Sequence, residues 1–143
     1  MKAAATRFVL DASVVVAWCF EDESTKFTEG VLDSLSRGSE ALVPSLWPLE
    51  VANAFVNAER RGRLQPARTA ELIAQIAKLG IEVDTHTSAQ AWKGTLTLAR
   101  RYGLSVHDAS YLELAIRESL PLATLDQALA KVARKAKLPD LPV

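Results

Sequence analysis

The stretch FVLDAS, Phe8 to Ser13, constrains the fold most, because a short apolar run ends abruptly on Asp11. Phe8, Val9 and Leu10 carry the β-branched and aromatic bias of a buried strand, and a helical stretch, Ala12 to Cys19, follows the acid. The pattern returns at LATLD, Leu122 to Asp126, with a helical run from Gln127. In an open α/β sheet, a carboxylate where a strand ends and a helix begins lies in the crevice where ligands bind. If the two strands are neighbours, Asp11 and Asp126 face each other across one pocket. Taken singly, each acid has a plainer explanation, since Asp is a favoured helix cap.

The rest of the chain alternates in the same way. Phe27, Val31, Leu32 and Leu35 fall at helical spacing over Thr25 to Ser36, with Ser24 as the cap and Gly38 as the stop. Ala41 to Val43 is a strand ended by Pro44. A long helix then starts at Ser45 with Pro48 in its first turn, where a missing amide hydrogen costs nothing. It carries an apolar stripe (Val51, Ala52, Phe55, Val56) and a polar one (Glu50, Asn53, Asn57), and ends at the basic segment Arg60, Arg61, Gly62, Arg63. Pro66 opens a helix running to Gly80, followed by a strand at Ile81 to Val83. A helix capped at Thr87 to Ala89 passes through Trp92 and Leu96 to Tyr102, closed by Gly103. The next, Ala109 to Ser119, has Asp108 at its start and turns Leu112, Ala115 and Ile116 inward. After the strand ending at Asp126 comes a helix from Gln127 to Ala136, and the proline-rich tail from Leu138 is expected to be an extended edge strand. Trp18, Trp47 and Trp92 are expected in the core.

Short strands separated by helices argue an α/β domain with a short, mostly parallel central sheet, one domain over residues 1–143. Right-handed crossovers put all strand carboxyl ends on one edge. Asp11 and Asp126 lie there, with Asp108 at a helix start and Glu50 early in its helix close by.

Basic and acidic residues balance, 17 against 17, so no global field draws the chain to nucleic acid or membrane. The single cysteine, Cys19, rules out an internal disulfide and fits a reducing cytoplasm; it reads as a small core residue. No uninterrupted run approaches the roughly 20 apolar residues of a membrane span. Arg7 and Asp11 interrupt what would be the apolar region of an export signal opened by Met1 to Ala5.

Four carboxylates near one crevice repel strongly unless protonated or bridged by a cation. An oxygen-only donor set, with no His or Cys cluster, selects Mg²⁺ or Mn²⁺ over zinc. The natural ligand of such a site is a phosphate, and the chemistry that follows is attack by water. Ser13 and Thr124, each two residues from a strand-end acid, could position that water or a phosphate oxygen; local turn bonding explains them as well. On periodicity alone, Glu50 belongs to the solvated face of its helix, and His86 and His107 cap helices or fill space. The arginines at 60, 61 and 63 read as solvated surface unless the substrate is a polyanion. No GxxxxGK loop, GxGxxG turn or CxxC pair is present.

The set VLDAS, PLEVANAF, SVHDASYLELAI and LATLDQAL, in this order over nearly the whole chain, resembles PIN domains, in particular the VapC toxins of toxin–antitoxin pairs. The resemblance implies a PIN-like three-layer α/β/α domain. It implies that the family's acids fall on Asp11, Glu50, Asp108 and Asp126 and its strand-end hydroxyl on Thr124, which moves Glu50 from surface to site. It further implies a Mg²⁺- or Mn²⁺-dependent endoribonuclease, a homodimer, and inhibition by a VapB-type antitoxin. In the resulting mechanism Asp11, Asp108 and Asp126 bind metal, Glu50 orients or deprotonates the attacking water, and Arg60, Arg61 and Arg63 are candidate RNA contacts. Two other readings stay open: a non-catalytic PIN-like module binding RNA or protein, which loss of an acid would favour, and a metal-dependent phosphatase acting on a soluble ester.

Overall fold

The computed structural model describes residues 6–142, so the expectation about Met1 to Ala5 falls outside the described residues. Four strands form one parallel sheet: β1 (Arg7–Leu10), β2 (Glu40–Val43), β3 (Ile81–Val83) and β4 (Leu122–Ala123), in the order β3-β2-β1-β4. Phe8 pairs with Ala41 and Leu10 with Ala123, so β1 is bonded on both edges. Phe8, Val9 and Leu10 are fully buried, as expected of a strand covered on both faces, where apolar residues run on without alternation.

This order puts a topological switch beside β1. The chain leaves β1 for β2 and β3 on one side, and only later returns to place β4 on the other. Loops from β1 and β4 therefore part in opposite directions, which opens a crevice between their carboxyl ends. The Asp11 N–H donates to the Ala123 carbonyl (2.9 Å), closing the ladder at the mouth of that crevice.

The helices cover the sheet. α1 (Ala12–Trp18) packs against α2 (Lys26–Ser36) and α3 (Trp47–Arg60), with α4 (Pro66–Ile76) following. α5 (Thr87–Gln90), α6 (Leu96–Tyr102) and α8 (Gln127–Lys135) pack against α7 (Val106–Glu118), which itself lies on β1 and β4. α7 is buried without a break from Ala109 to Ala115. A helix apolar all round is a central one, and Ile116, expected to face inward, is instead 41% exposed.

Four further local expectations are corrected. The cap of α2 is Thr25, which shares a reciprocal capping box with Thr28, while Ser24 ends a 3-10 turn over Glu21–Glu23. The buried stripe of α3 is Trp47, Val51, Phe55 and Ala58, not the shorter set that included Ala52 and Val56. The helix through Trp92 is not continuous: a π turn at Ala91–Thr95, with non-helical backbone at Lys93, separates α5 from α6. That break turns Trp92 outward, 91% exposed, so it is no core residue, whereas Trp47 is buried. The tail from Leu138 to Pro142 joins no strand.

Candidate active site

The two strand-end acids differ in what holds them. Asp11 stands at the N-cap position of α1 but makes no capping bond with its side chain. Its Oδ2 instead accepts from the Ser13 hydroxyl (2.9 Å) and the Thr124 hydroxyl (2.6 Å). Ser13 in turn accepts from the Leu125 N–H (3.1 Å), and Thr124 from the Asp126 N–H (3.0 Å). Two hydroxyls thus tie the Asp11 carboxylate across the crevice to the loop after β4. A hydroxyl has one proton, and each is spent on Asp11, so in this arrangement Ser13 and Thr124 orient the carboxylate rather than a water. Asp126 does cap its helix, its Oδ1 accepting from the Leu129 N–H (3.1 Å).

Glu50 and Asp108 reach the crevice from helix starts. Glu50 lies in the first turn of α3 and Asp108 in the first turn of α7, where the helix dipole favours negative charge. Ser105 is the cap of α7, accepting from the Asp108 N–H (3.1 Å), which leaves the Asp108 carboxylate clear of the cap. Burial, then the charges of Asp126 and Asp11, push the Asp108 carboxyl above its ordinary range. Burial likewise pushes Glu50 up, with Asp11 and Asp108 adding to the rise. The four acids therefore feel one another's charge.

Tyr111 is the residue sequence reasoning missed. Fully buried on α7, it donates its hydroxyl to Glu50 Oε1 (2.5 Å) and accepts from the Ala12 N–H (3.4 Å). It thereby joins Glu50 to the backbone beside Asp11. Burial and the neighbouring Glu50 hold its phenol far above the usual value, so it stays a donor. The phenylalanine variant, Tyr111→Phe, should lose about 1–3 kcal/mol of stability, the usual range for a hydrogen bond to a charged group or an orphaned buried one. It should also raise the Glu50 pKa further, because the lost bond favours the charged form. The acid limb of any activity profile should then move to higher pH, and an unmoved limb would separate Glu50 from the chemistry.

No Lys or Arg pairs with Asp11, Glu50, Asp108 or Asp126 among the described residues, whereas the buried acids Asp84 and Glu113 both pair with Arg117. An all-oxygen, unneutralised donor set is chemically suited to a hard divalent cation. Asp11 Oδ1, Glu50 Oε2 and Asp126 Oδ2 carry no hydrogen bond among the described residues, so each keeps an oxygen for a ligand. Among the same residues, no three His, Cys, Asp or Glu side chains already form a group that could hold a metal ion. The set fits such an ion by its donor chemistry, and its spacing is that of an open crevice.

The arginines lie elsewhere. Ten residues of helix, about 15 Å at 1.5 Å each, separate Glu50 from Arg60. Arg63 is held by Asp22 (3.1 Å) and Glu23 (3.2 Å) and stacks over Phe20. Burial pushes the Cys19 thiol up to about 11, in keeping with an inert, packed residue.

Comparison with known proteins agrees with this architecture. The PIN domain family matches residues 8–135. The chain is 29% identical to Ribonuclease VapC3 of Pyrobaculum aerophilum over 125 residues, covering 87% of this chain and 93% of that protein. The crystal structure of PAE2754 from Pyrobaculum aerophilum superposes with a TM-score of 0.65 at 22% identity, over 90% of this chain and 85% of that one, a likeness of fold.

Proposed function

Because this chain belongs to the PIN-domain family, we propose that it is a metal-dependent endoribonuclease of VapC type, cutting RNA by attack of water at the crevice beside β1. The observation that carries this reading is the gathering of Asp11, Glu50, Asp108 and Asp126 without any basic partner among the described residues, at the switch point where an open sheet takes its ligands. The nuclease named VapC3, similar over most of the chain, supports it.

In this reading Asp11, Asp108 and Asp126 hold Mg²⁺ or Mn²⁺, with Glu50 at its margin. When bound, the ion neutralises phosphate charge and lowers the pKa of a water. Ser13 and Thr124 keep the Asp11 carboxylate turned toward β4. Glu50 takes the proton of the attacking water on Oε2, since Oε1 is occupied by Tyr111. Its raised pKa suits a base working near neutral pH. Phosphate contacts along the outer surface are assigned to Arg60 and Arg61; Arg63 spends its charge on Asp22 and Glu23. The reading also carries a VapB-type antitoxin as inhibitor, a homodimer as the assembly and the cytoplasm as the place of action.

Hydrolysis by water leaves the ribose 2′-hydroxyl unused. The purified chain should therefore cut RNA in Mn²⁺, stop in excess chelator, and still cut RNA whose 2′-hydroxyls are methylated wherever the methyl groups do not block entry. Release of phosphate from a soluble ester with RNA left uncut would replace this function with a phosphatase.

A further inference from the structure

We propose that a cavity beside the four acids is a nucleobase subsite, taking the base of a nucleotide next to the scissile phosphate of a single-stranded RNA; the assignment rests on the ribonuclease reading above. The cavity holds about 190 Å³ and is bounded by Ser45, Thr87, Ala91, Thr95, His107 and Ser110, with Leu46, Ser88 and Val106 completing it. Asp11 and Asp126 sit at the ends of β1 and β4, whereas Ser45 and Thr87 follow the ends of β2 and β3, so cavity and acids lie along one edge of the sheet. They adjoin at two points: His107 precedes Asp108, and the Leu46 carbonyl accepts from the Glu50 N–H (3.0 Å).

The lining points to a base. It contains no carboxylate, lysine or arginine, so neither a phosphate nor a cation is its natural occupant. Leu46, Ala91 and Val106 offer apolar surface to a ring, and hydroxyls, which both donate and accept, offer partners to its edge. Sequence-reading proteins treat splayed bases of single-stranded RNA in this way. The volume is below that of sites for drug-sized ligands, about 300–1,000 Å³, as a single base requires.

One wall is built rigidly. The Ser45 N–H donates to Thr87 Oγ1 (3.0 Å), and that hydroxyl donates to Asp84 Oδ2 (2.8 Å). Asp84, 6% exposed, is gripped by Arg117 through both oxygens (3.1 and 2.7 Å). Walls held in this way need no ordering when a ligand arrives. The opposite wall is the π turn, a feature that concentrates at functional sites. Thr95, in that turn, is 1% exposed and its hydroxyl has no partner among the described residues. In a regular helix that hydroxyl reaches back to a carbonyl, as Thr97 does to Lys93 (3.0 Å). A buried polar atom without a partner asks for an occupant.

The test is to digest a pool of RNA with randomised sequence in Mn²⁺ and sequence the new ends. The wild type should favour one base at a position flanking the cut, by roughly tenfold over the least favoured, the scale of one or two hydrogen bonds. Ser88→Leu and Ala91→Leu, which fill the cavity, should bring that ratio towards one while preferences at other positions persist. Ser88 is exposed, so its leucine variant stays informative if Ala91→Leu melts early. An unchanged bias in the folded Ser88→Leu protein, or no bias next to the cut in the wild type, overturns the subsite and leaves the nuclease standing. If the wild type cuts no member of the pool, the nuclease reading falls and the subsite with it.

Discussion

Asp11→Asn is expected to abolish RNA cleavage, lowering the rate by at least about a hundredfold, with the fold intact. Even partners one layer out from a metal are commonly worth 10–100-fold, and Asp11 is assigned to the metal itself. The amide keeps the size of the carboxylate and one oxygen to accept from Ser13 and Thr124, so the ties to the β4 loop persist and only the charge is lost. Asp126→Asn should behave alike. The amide oxygen can still accept from the Leu129 N–H, and Asn caps a helix about as well as Asp. The check is cleavage of RNA in Mn²⁺ beside a thermal melt of each variant. Cleavage near the wild-type rate by either folded variant would end the four-acid mechanism.

The largest loss of stability is expected from Arg117→Ala. Arg117 donates to Glu113 (2.8 Å) and grips Asp84, and both acids are buried, 6% exposed each. Burial pushes Asp84 up, but hydrogen bonds from Arg117 and Thr87 outweigh it and hold the carboxyl below the usual range. Alanine would leave two buried carboxylates unpaired, and breaking a buried pair by removing one partner costs about 3–5 kcal/mol. For a chain of this size that lowers the melting temperature on the order of 10 °C. A loss under about 1 kcal/mol, measured by denaturant unfolding, would mean that water already reaches the network.

Asp84 also shows where the sequence is ambiguous. IEV followed by Asp84 repeats the pattern of a strand closing on an acid, as at Asp11 and Asp126. Local spacing does not distinguish the three. What separates them is Arg117, thirty-three residues away, which neutralises Asp84 and leaves Asp11 and Asp126 unneutralised. The strands were legible because β1 and β2 are buried on both faces and therefore read as plain apolar runs. Glu50 was not, because its helix is amphipathic in an ordinary way and its place in the crevice depends on where α3 begins relative to β2. Tyr111 left a weaker trace: an aromatic hydroxyl inside a helix buried all round must find a partner, but periodicity does not say which. The π turn left none, so Trp92 passed for a core residue.

The central claim is that these carboxylates share one cation-dependent pocket, and a set of thermal melts tests it most directly. Glu50 and Asp108 have folded pKa values raised above their unfolded ones. The native state therefore binds their protons more tightly, and their contribution to stability is lost as pH rises through the raised values. Asp84, shifted downward, works in the opposite sense, its contribution being lost as pH falls, but it is common to wild type and Asp108→Asn, so their difference isolates the cluster. In chelator at neutral pH, Asp108→Asn should melt above wild type, because it removes a charge that Asp126 and Asp11 oppose, and the gap should close in mild acid. Added Mn²⁺ at a hundred times its dissociation constant should stabilise wild type by about 2.7 kcal/mol, more at neutral than at acidic pH, and stabilise Asp108→Asn less. A wild type indifferent to Mn²⁺ at neutral pH, or an Asp108→Asn variant that melts below it in chelator, would contradict the shared pocket.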